Sequence, residues 1–149
     1  LDIKYLVINS IPDDDLMDNI KSLYSAIFKS NIEEFNNKIK DKPKILFNIA
    51  LDGNKLIGFK IGYELNGDKF YSWLGGVDPS YRKQGIASKL MEQQHQYLRE
   101  YGYKVIQTKS MNKWRGMLLL NIKYGFDVTE TYTDEKGLHK IILEKKLLN

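Results

Sequence analysis

Cysteine is absent from the 149 residues, and that absence removes several kinds of chemistry at once. There is no disulfide framework, no thiolate metal site and no cysteine nucleophile, so acyl transfer through an enzyme thioester is excluded. Histidine is nearly as scarce, with His95 and His139 the only two. Neither has the partner spacing that a metal site or a catalytic triad requires, so both are expected to be structural and no metal is expected. No apolar run approaches the ~20 residues of a membrane span, and the opening residues lack a signal-peptide pattern, so the expectation is a cytoplasmic protein without a membrane partner. Charge of one sign is also lacking. The balance of 23 Lys and Arg against 19 Asp and Glu leaves only +4, and the basic residues are scattered rather than gathered into a stripe with aromatics, which argues against a nucleic-acid partner. With no repeat, linker or low-complexity segment, residues 1–149 are expected to form a single domain.

What is present is an ordered series of periodic segments. Lys4 to Asn9 is a short apolar run that predicts an edge strand. From Pro12 onward, Leu16, Ile20, Leu23, Tyr24, Ile27 and Phe28 follow helical spacing, and Asp13, Asp14 and Asp15 favour the N-terminal end of that helix through its dipole. Asn31 followed by Glu33 and Glu34 opens a second short helix through Ile39, which Asp41-Lys42-Pro43 ends. Alternating apolar residues from Ile45 to Leu51 and from Ile57 to Tyr63, with turns at Asp52-Gly53-Asn54 and Asn66-Gly67, predict a meander whose third strand is Lys69 to Val77. A helix from about Gln84 to Tyr101, closed by Gly102, leads into a strand from Tyr103 to Lys109. That strand must run parallel to Lys69–Val77, because a helix joins the two. A helix from Asn112 or Lys113 to Tyr124 and a closing hairpin, Phe126–Thr133 with Leu138–Lys146, complete the chain. The order β-α-α-β-β-β-α-β-α-β-β predicts an α+β fold of three layers, with a central mixed, mostly antiparallel sheet flanked by helices.

The stretch from Gly75 to Ala87 joins a strand to the longest helix through a glycine-bearing turn. The first N–H groups of a helix lack intrahelical partners and carry the positive end of its dipole, so such a turn favours an anion. Arg82 and Lys83 add full charges. Arg82-x-x-Gly85-x-Ala87, preceded by Val77-x-Pro79 and followed by a strand and a Gly125-Phe126 pair, resembles the acyl-CoA signature of the GNAT superfamily of N-acetyltransferases. The resemblance covers Phe70 to Phe126 by motif and the whole chain by element order. It implies a GNAT-like fold in which the strands Lys69–Val77 and Tyr103–Lys109 splay apart, with Gly75-Gly76 as the expected bulge.

The resemblance further implies acetyl-CoA as cosubstrate, held by Gly75, Gly76 and Val77 along its pantetheine arm and by Arg82, Lys83, Gln84, Gly85, Ile86 and Ala87 at its pyrophosphate. Many members have an asparagine where Trp114 stands, and Asn112, two residues earlier, is the candidate contact from that helix. The implied reaction is direct attack by an uncharged primary amine on the thioester in a ternary complex, with the Val77 N–H facing the thioester carbonyl. Two groups are candidates for handling the amine proton, Tyr71 on the strand leading to the signature and Glu64 on the strand before it. Asn121 stands where many members place a tyrosine that protonates the leaving thiolate, and asparagine cannot supply a proton. Tyr124, one helical turn on, is the alternative donor. The acceptor, a small-molecule or peptide amine, is expected between the first two helices and the closing-hairpin loop, where Asp13, Asp14, Glu33 and Glu34 would attract a cation. Two rival readings are a catalytically weak acyl-CoA sensor or interaction module, favoured by Asn121, and a nucleic-acid binder using the Arg82-Lys83 loop. A homodimer through an edge strand or the closing hairpin is the further expectation.

Overall fold

The computed structural model describes residues 2–147. In chain order the elements are β1 (Ile3–Ile8), α1 (Asp14–Phe28), α2 (Ile32–Ile39), β2 (Leu46–Asp52), β3 (Lys55–Glu64), β4 (Lys69–Val77), α3 (Ile86–Glu100), β5 (Val105–Ser110), α4 (Arg115–Lys123), β6 (Asp127–Thr133) and β7 (His139–Lys146). The seven strands form one sheet in the order β1-β2-β3-β4-β5-β7-β6. Its one parallel pairing among the described residues is β4 with β5, the pair that a helix connects.

The helices start where the sequence supplies caps. The Asp13 carboxylate accepts from the Leu16 N–H at 2.9 Å at the head of α1, and the Asn31 side chain accepts from the Glu33 N–H at 2.8 Å at the head of α2, each satisfying an otherwise orphaned donor. Both helices lie on one face of the sheet, where Met17, Ile20, Tyr24 and Phe35 pack against Phe47, Ile49, Phe59 and Ile61. On the other face α3 and α4 cover Phe70, Ile106, Phe126 and Leu143, with Met91 and Leu98 of α3 fully buried. The result is the three-layer α+β arrangement that the element order predicts.

Two boundaries differ from the sequence reading in ways that shape the site. α4 starts at Arg115 rather than at Asn112 or Lys113, with Trp114 at its cap position. The bulge lies at Trp73 and not at Gly75-Gly76. Ile61 pairs with Leu74 and Gly62 with Ser72, which leaves Trp73 as the extra residue, while Gly75 and Gly76 pair regularly with Lys60 and Phe59. The cause is across the strand, since any Cβ on Gly62 would run into the Phe70 ring and the Tyr71 carbonyl, and the missing side chain lets β4 buckle there. The bulge exchanges the two sides of the strand. Phe70 packs under α3 and Ser72 is bonded to Gln94 of α3, Trp73 and Leu74 both turn toward α1 and α2, and Val77 faces α3 again beside Ile86 and Leu90.

Candidate functional site

β4 and β5 pair only from Lys69 to Ser72 and from Val105 to Thr108. Beyond the bulge they separate, so the last residues of β4 have a neighbour on the β3 side alone. Asp78 donates to the Ile57 carbonyl at 2.7 Å, and alternate residues of an antiparallel strand point their polar groups to the same side. The Gly76 amide therefore faces β3, while those of Gly75 and Val77 face the gap. The Val77 carbonyl faces it too, accepting from Arg82 Nε at 3.2 Å. Unpaired backbone groups of this kind call for a partner.

At the end of the gap, Gly85 is the N-cap of α3 with φ +79°, and no side chain caps the helix. Glycine adopts that backbone without strain, and the amides of Ile86, Ala87 and Ser88 are left free for a ligand. A cavity of about 620 Å³ joins the two features. Gly75, Gly76, Val77, Arg82, Lys83, Gly85, Ile86 and Ala87 all line it, so eight of the ten expected cofactor residues are brought together. Gln84 and Asn112 do not line it. Both are exposed, and Asn112 precedes α4 instead of belonging to it. Lys113 and Arg115 reach the cavity instead. A basic pair flanking Trp114 was the available signal for them.

A second cavity of about 540 Å³ shares Phe28, Gly75, Lys113, Trp114 and Met117 with the first and extends toward α1, α2 and the closing hairpin. Its walls include Tyr24, Phe28, Trp73 and Trp114. Its floor is polar. Of the eight buried polar residues among those described, five line it: Lys60, Ser72, Thr108, Ser110 and Asn121. Burying polar groups is unfavourable unless something repays it, so their concentration at one cavity makes it a candidate binding site. Gln94, just beneath, donates to Ser72 Oγ at 3.3 Å, and Thr108 Oγ1 donates to the Ser72 carbonyl at 2.9 Å.

The expected catalytic residues divide. Asn121 is buried and lines the second cavity. Tyr124, Glu64 and Tyr71 line neither cavity. The Tyr124 hydroxyl points outward to Glu92 at 3.2 Å, and Glu64 accepts from the Tyr103 hydroxyl at 2.8 Å. Tyr71 lies edge-on to Tyr63 with ring centres 5.4 Å apart, and burial, with Tyr63 and Tyr132 beside it, pushes its hydroxyl well above the usual range, the opposite of what a base needs. The carboxylate that does reach the cavity is Glu34, 3.8 Å from Lys38. Asp13 is engaged as the cap of α1.

The lining is chiefly basic, with Lys38, Lys60, Lys109, Lys113 and Lys140. Lys60 is the residue that the sequence reading missed. It is 8% exposed, no carboxylate lies within ion-pair distance among the described residues, and burial lowers its amine to about 8. His95 on α3 is also buried, and burial with Lys145, Lys60 and Arg99 nearby pushes it far below the usual imidazole range. Lys145 Nζ donates to its Nδ1 at 3.1 Å, which holds the ring neutral and structural. His139 meets Thr133 Oγ1 at 3.0 Å in the closing hairpin. Among the described residues no cluster of metal-ligating side chains occurs and no helix is long and apolar enough to cross a membrane.

No curated protein matches the chain. Solved structures do. A GNAT acetyltransferase from Desulfovibrio desulfuricans, itself described as putative, superposes with a TM-score of 0.82 at 11% identity, covering 99% of this chain and 100% of that one. The ribosomal-protein-S18-alanine N-acetyltransferase of Escherichia coli gives 0.80 at 16% identity, covering 98% and 96%. A GNAT acetyltransferase of Elizabethkingia anophelis with acetyl-CoA bound gives 0.74 at 19%, covering 97% and 98%. At such identities the likeness is one of fold. The model of the acetyltransferase (GNAT) family matches residues 14–114, about two thirds of the sequence and the whole stretch from α1 through the Gly85 turn to Trp114. The chain belongs to the acetyltransferase (GNAT) family.

Proposed function

We propose that the protein is an N-acetyltransferase that moves an acetyl group from acetyl-CoA to a primary amine by direct attack in a ternary complex, as one cytoplasmic domain spanning the chain. The observation that carries this reading is the single cavity onto which both the free amides of α3 and the unpaired edge of β4 open. A pyrophosphate suits the first, with Arg82, Lys83, Lys113 and Arg115 supplying charge. The two amides of a pantetheine arm suit the second, pairing with the strand edge as an added strand would. The Val77 N–H, aimed into the gap, is placed to bind an oxygen on which negative charge grows. Losing such a donor typically slows an enzyme by an amount worth ~2.7–4 kcal/mol. Solved relatives by fold include one with acetyl-CoA bound and an aminoglycoside 6'-N-acetyltransferase complexed with coenzyme A, which supports the donor.

The acceptor enters the second cavity between α1, α2 and the hairpin. Its aromatic walls suit the apolar body of a small molecule or of a peptide end. Its excess of lysines favours an amine that also carries a carboxylate or phosphate, in place of the cation that the acidic residues of α1 and α2 suggest in sequence. Removal of the amine proton falls to water or to Glu34.

Calorimetric titration of acetyl-CoA into the protein and into a Gly85→Glu variant tests the reading. Micromolar binding that the variant loses, followed by CoA release when amines are screened, is the expected outcome. A folded parent that does not bind acetyl-CoA overturns it. Asn121 in place of a tyrosine favours one second reading, an acyl-CoA-binding module without turnover, and for this module binding without CoA release is the expected result.

A further inference from the structure

Lys60 sits in the middle of β3, between Phe59 and Ile61, which are fully buried under α1 and α2. Its own side chain takes the opposite face. It pairs across the sheet with Asn48, whose amide donates to Gln93 of α3 at 2.9 Å, and with Gly75 on β4. A Cβ on Gly75 would lie 3.6 Å from Lys60 Nζ. The missing side chain therefore leaves the amine open to the unpaired edge of β4, where the donor's arm runs. A buried charge without a counter-ion is strongly unfavourable, and this one projects into the cavity that Asn121 and Ser72 also line.

We propose that the Lys60 ammonium protonates the thiolate that leaves during acyl transfer, the part for which Asn121 has no proton to give. This assignment rests on the acyl-CoA reading of the site. As the amine nitrogen forms its bond to the acyl carbon, the carbon–sulfur bond breaks and its electron pair passes to sulfur. A proton moves from Lys60 Nζ to that sulfur. The proton shed by the amine leaves to water through the acceptor cavity, and Lys60 regains one from solvent. Burial brings the amine to about 8, close to the ~8.5 of a thiol, so the transfer runs nearly level in energy. The charged groups lining the cavity are Glu34 and Lys38 from α2, Lys109 from β5, Lys113 ahead of α4 and Lys140 from β7, and α3 adds His95, which is uncharged. Their sum is positive, which disfavours a further ammonium at Lys60 and so favours release of its proton.

The test compares binding of CoA with desulfo-CoA, which lacks the sulfur, across about pH 6 to 9.5, a span that brackets the ionisation of a thiol. In the parent the preference for CoA passes through a maximum of about twofold near pH 8, where the thiol ionises beside a Lys60 that still holds much of its proton, and falls again toward pH 9.5 as Lys60 loses it, while the bound thiol, followed by its ultraviolet thiolate absorbance, ionises about one unit below free CoA. Lys60→Met abolishes the maximum and keeps the affinity for desulfo-CoA. Equal affinities for the two ligands at every pH in the parent, or an unchanged bound thiol, overturn the role of Lys60 and leave the cofactor reading standing. Binding of neither ligand overturns both. The parent measurement alone decides the matter if the variant does not fold.

Discussion

Replacing Lys60 with methionine should make the protein more stable. The side chain is 8% exposed and no carboxylate among the described residues pairs with it, so the folded state holds its proton less tightly than the unfolded chain does. Its amine falls from 10.5 to about 8 on folding. At pH 7 both states are mostly protonated, and the folded state carries a penalty of 2.5 units, or about 3 kcal/mol at 1.36 kcal/mol per unit. The sign follows from linkage. Between about 8 and 10.5 the unfolded chain binds more protons than the folded one, so wild-type stability rises with pH and the penalty fades. Lys60→Met, close in length and uncharged, removes the penalty at every pH. Its advantage of about 3 kcal/mol at pH 7 should shrink to about 1 kcal/mol by pH 10. For a chain of this length about 3 kcal/mol corresponds to a melting temperature higher by roughly 6–12 °C. Urea unfolding of both proteins at a series of pH values measures the difference directly. A variant no more stable than wild type at pH 7, or a gap that does not close as pH rises, would refute the reasoning, because it would mean that the ammonium is solvated or paired in the folded state.

Two other perturbations probe neighbouring features. His95 is held far below its usual range, so below pH 6.5 the unfolded chain takes up a proton that the folded one refuses, and stability falls as the solution is acidified from there. His95→Leu should flatten that acid limb in pH-dependent denaturation, and an unaltered limb would show that another group governs it. At Gly85, φ is +79° and a Cβ would meet nothing within 4 Å, so alanine there costs about 1–2 kcal/mol of backbone strain while asparagine, which tolerates the left-handed region, costs less. Stability should rank Gly, Asn, Ala, but acetyl-CoA affinity should rank Gly, Ala, Asn, because bulk at the turn decides it. Calorimetry giving the same order in both measurements would show that the turn does not touch the ligand.

The fold was legible because its signals are local. Helical spacing from Leu16 to Phe28, alternation from Ile57 to Tyr63 and the turn residues at Asp52-Gly53-Asn54 and Asn66-Gly67 each describe one element, and the element order then leaves few topologies. The glycine turn at the head of α3 was legible for the same reason, since Gly85 and the helix it caps are adjacent in sequence. Lys60 was not. Alternation along β3 assigns Gly58, Lys60 and Gly62 to the face opposite Phe59, which reads as solvent, whereas α3 covers that face of a central strand. The bulge was misplaced because the residue that permits it, Gly62, lies on the neighbouring strand. Tyr71 was read from its place on the strand leading to the signature and Glu64 from the strand before it, but position along a strand carries no information about the tyrosines and the hairpin that enclose them.

The bulge at Trp73 also sets how this strand can change over generations. Substitutions along β4 alter one contact at a time, and most leave the neighbouring positions as they were. Trp73 and Leu74 share one side of the strand, so losing either would restore simple alternation while leaving Gly75, Gly76 and Val77 on the layers they already occupy and in step with β3. The strand can therefore shed its extra residue without turning over. Deleting Trp73 should cost the aromatic wall it gives the second cavity and little of the pairing between β3 and β4.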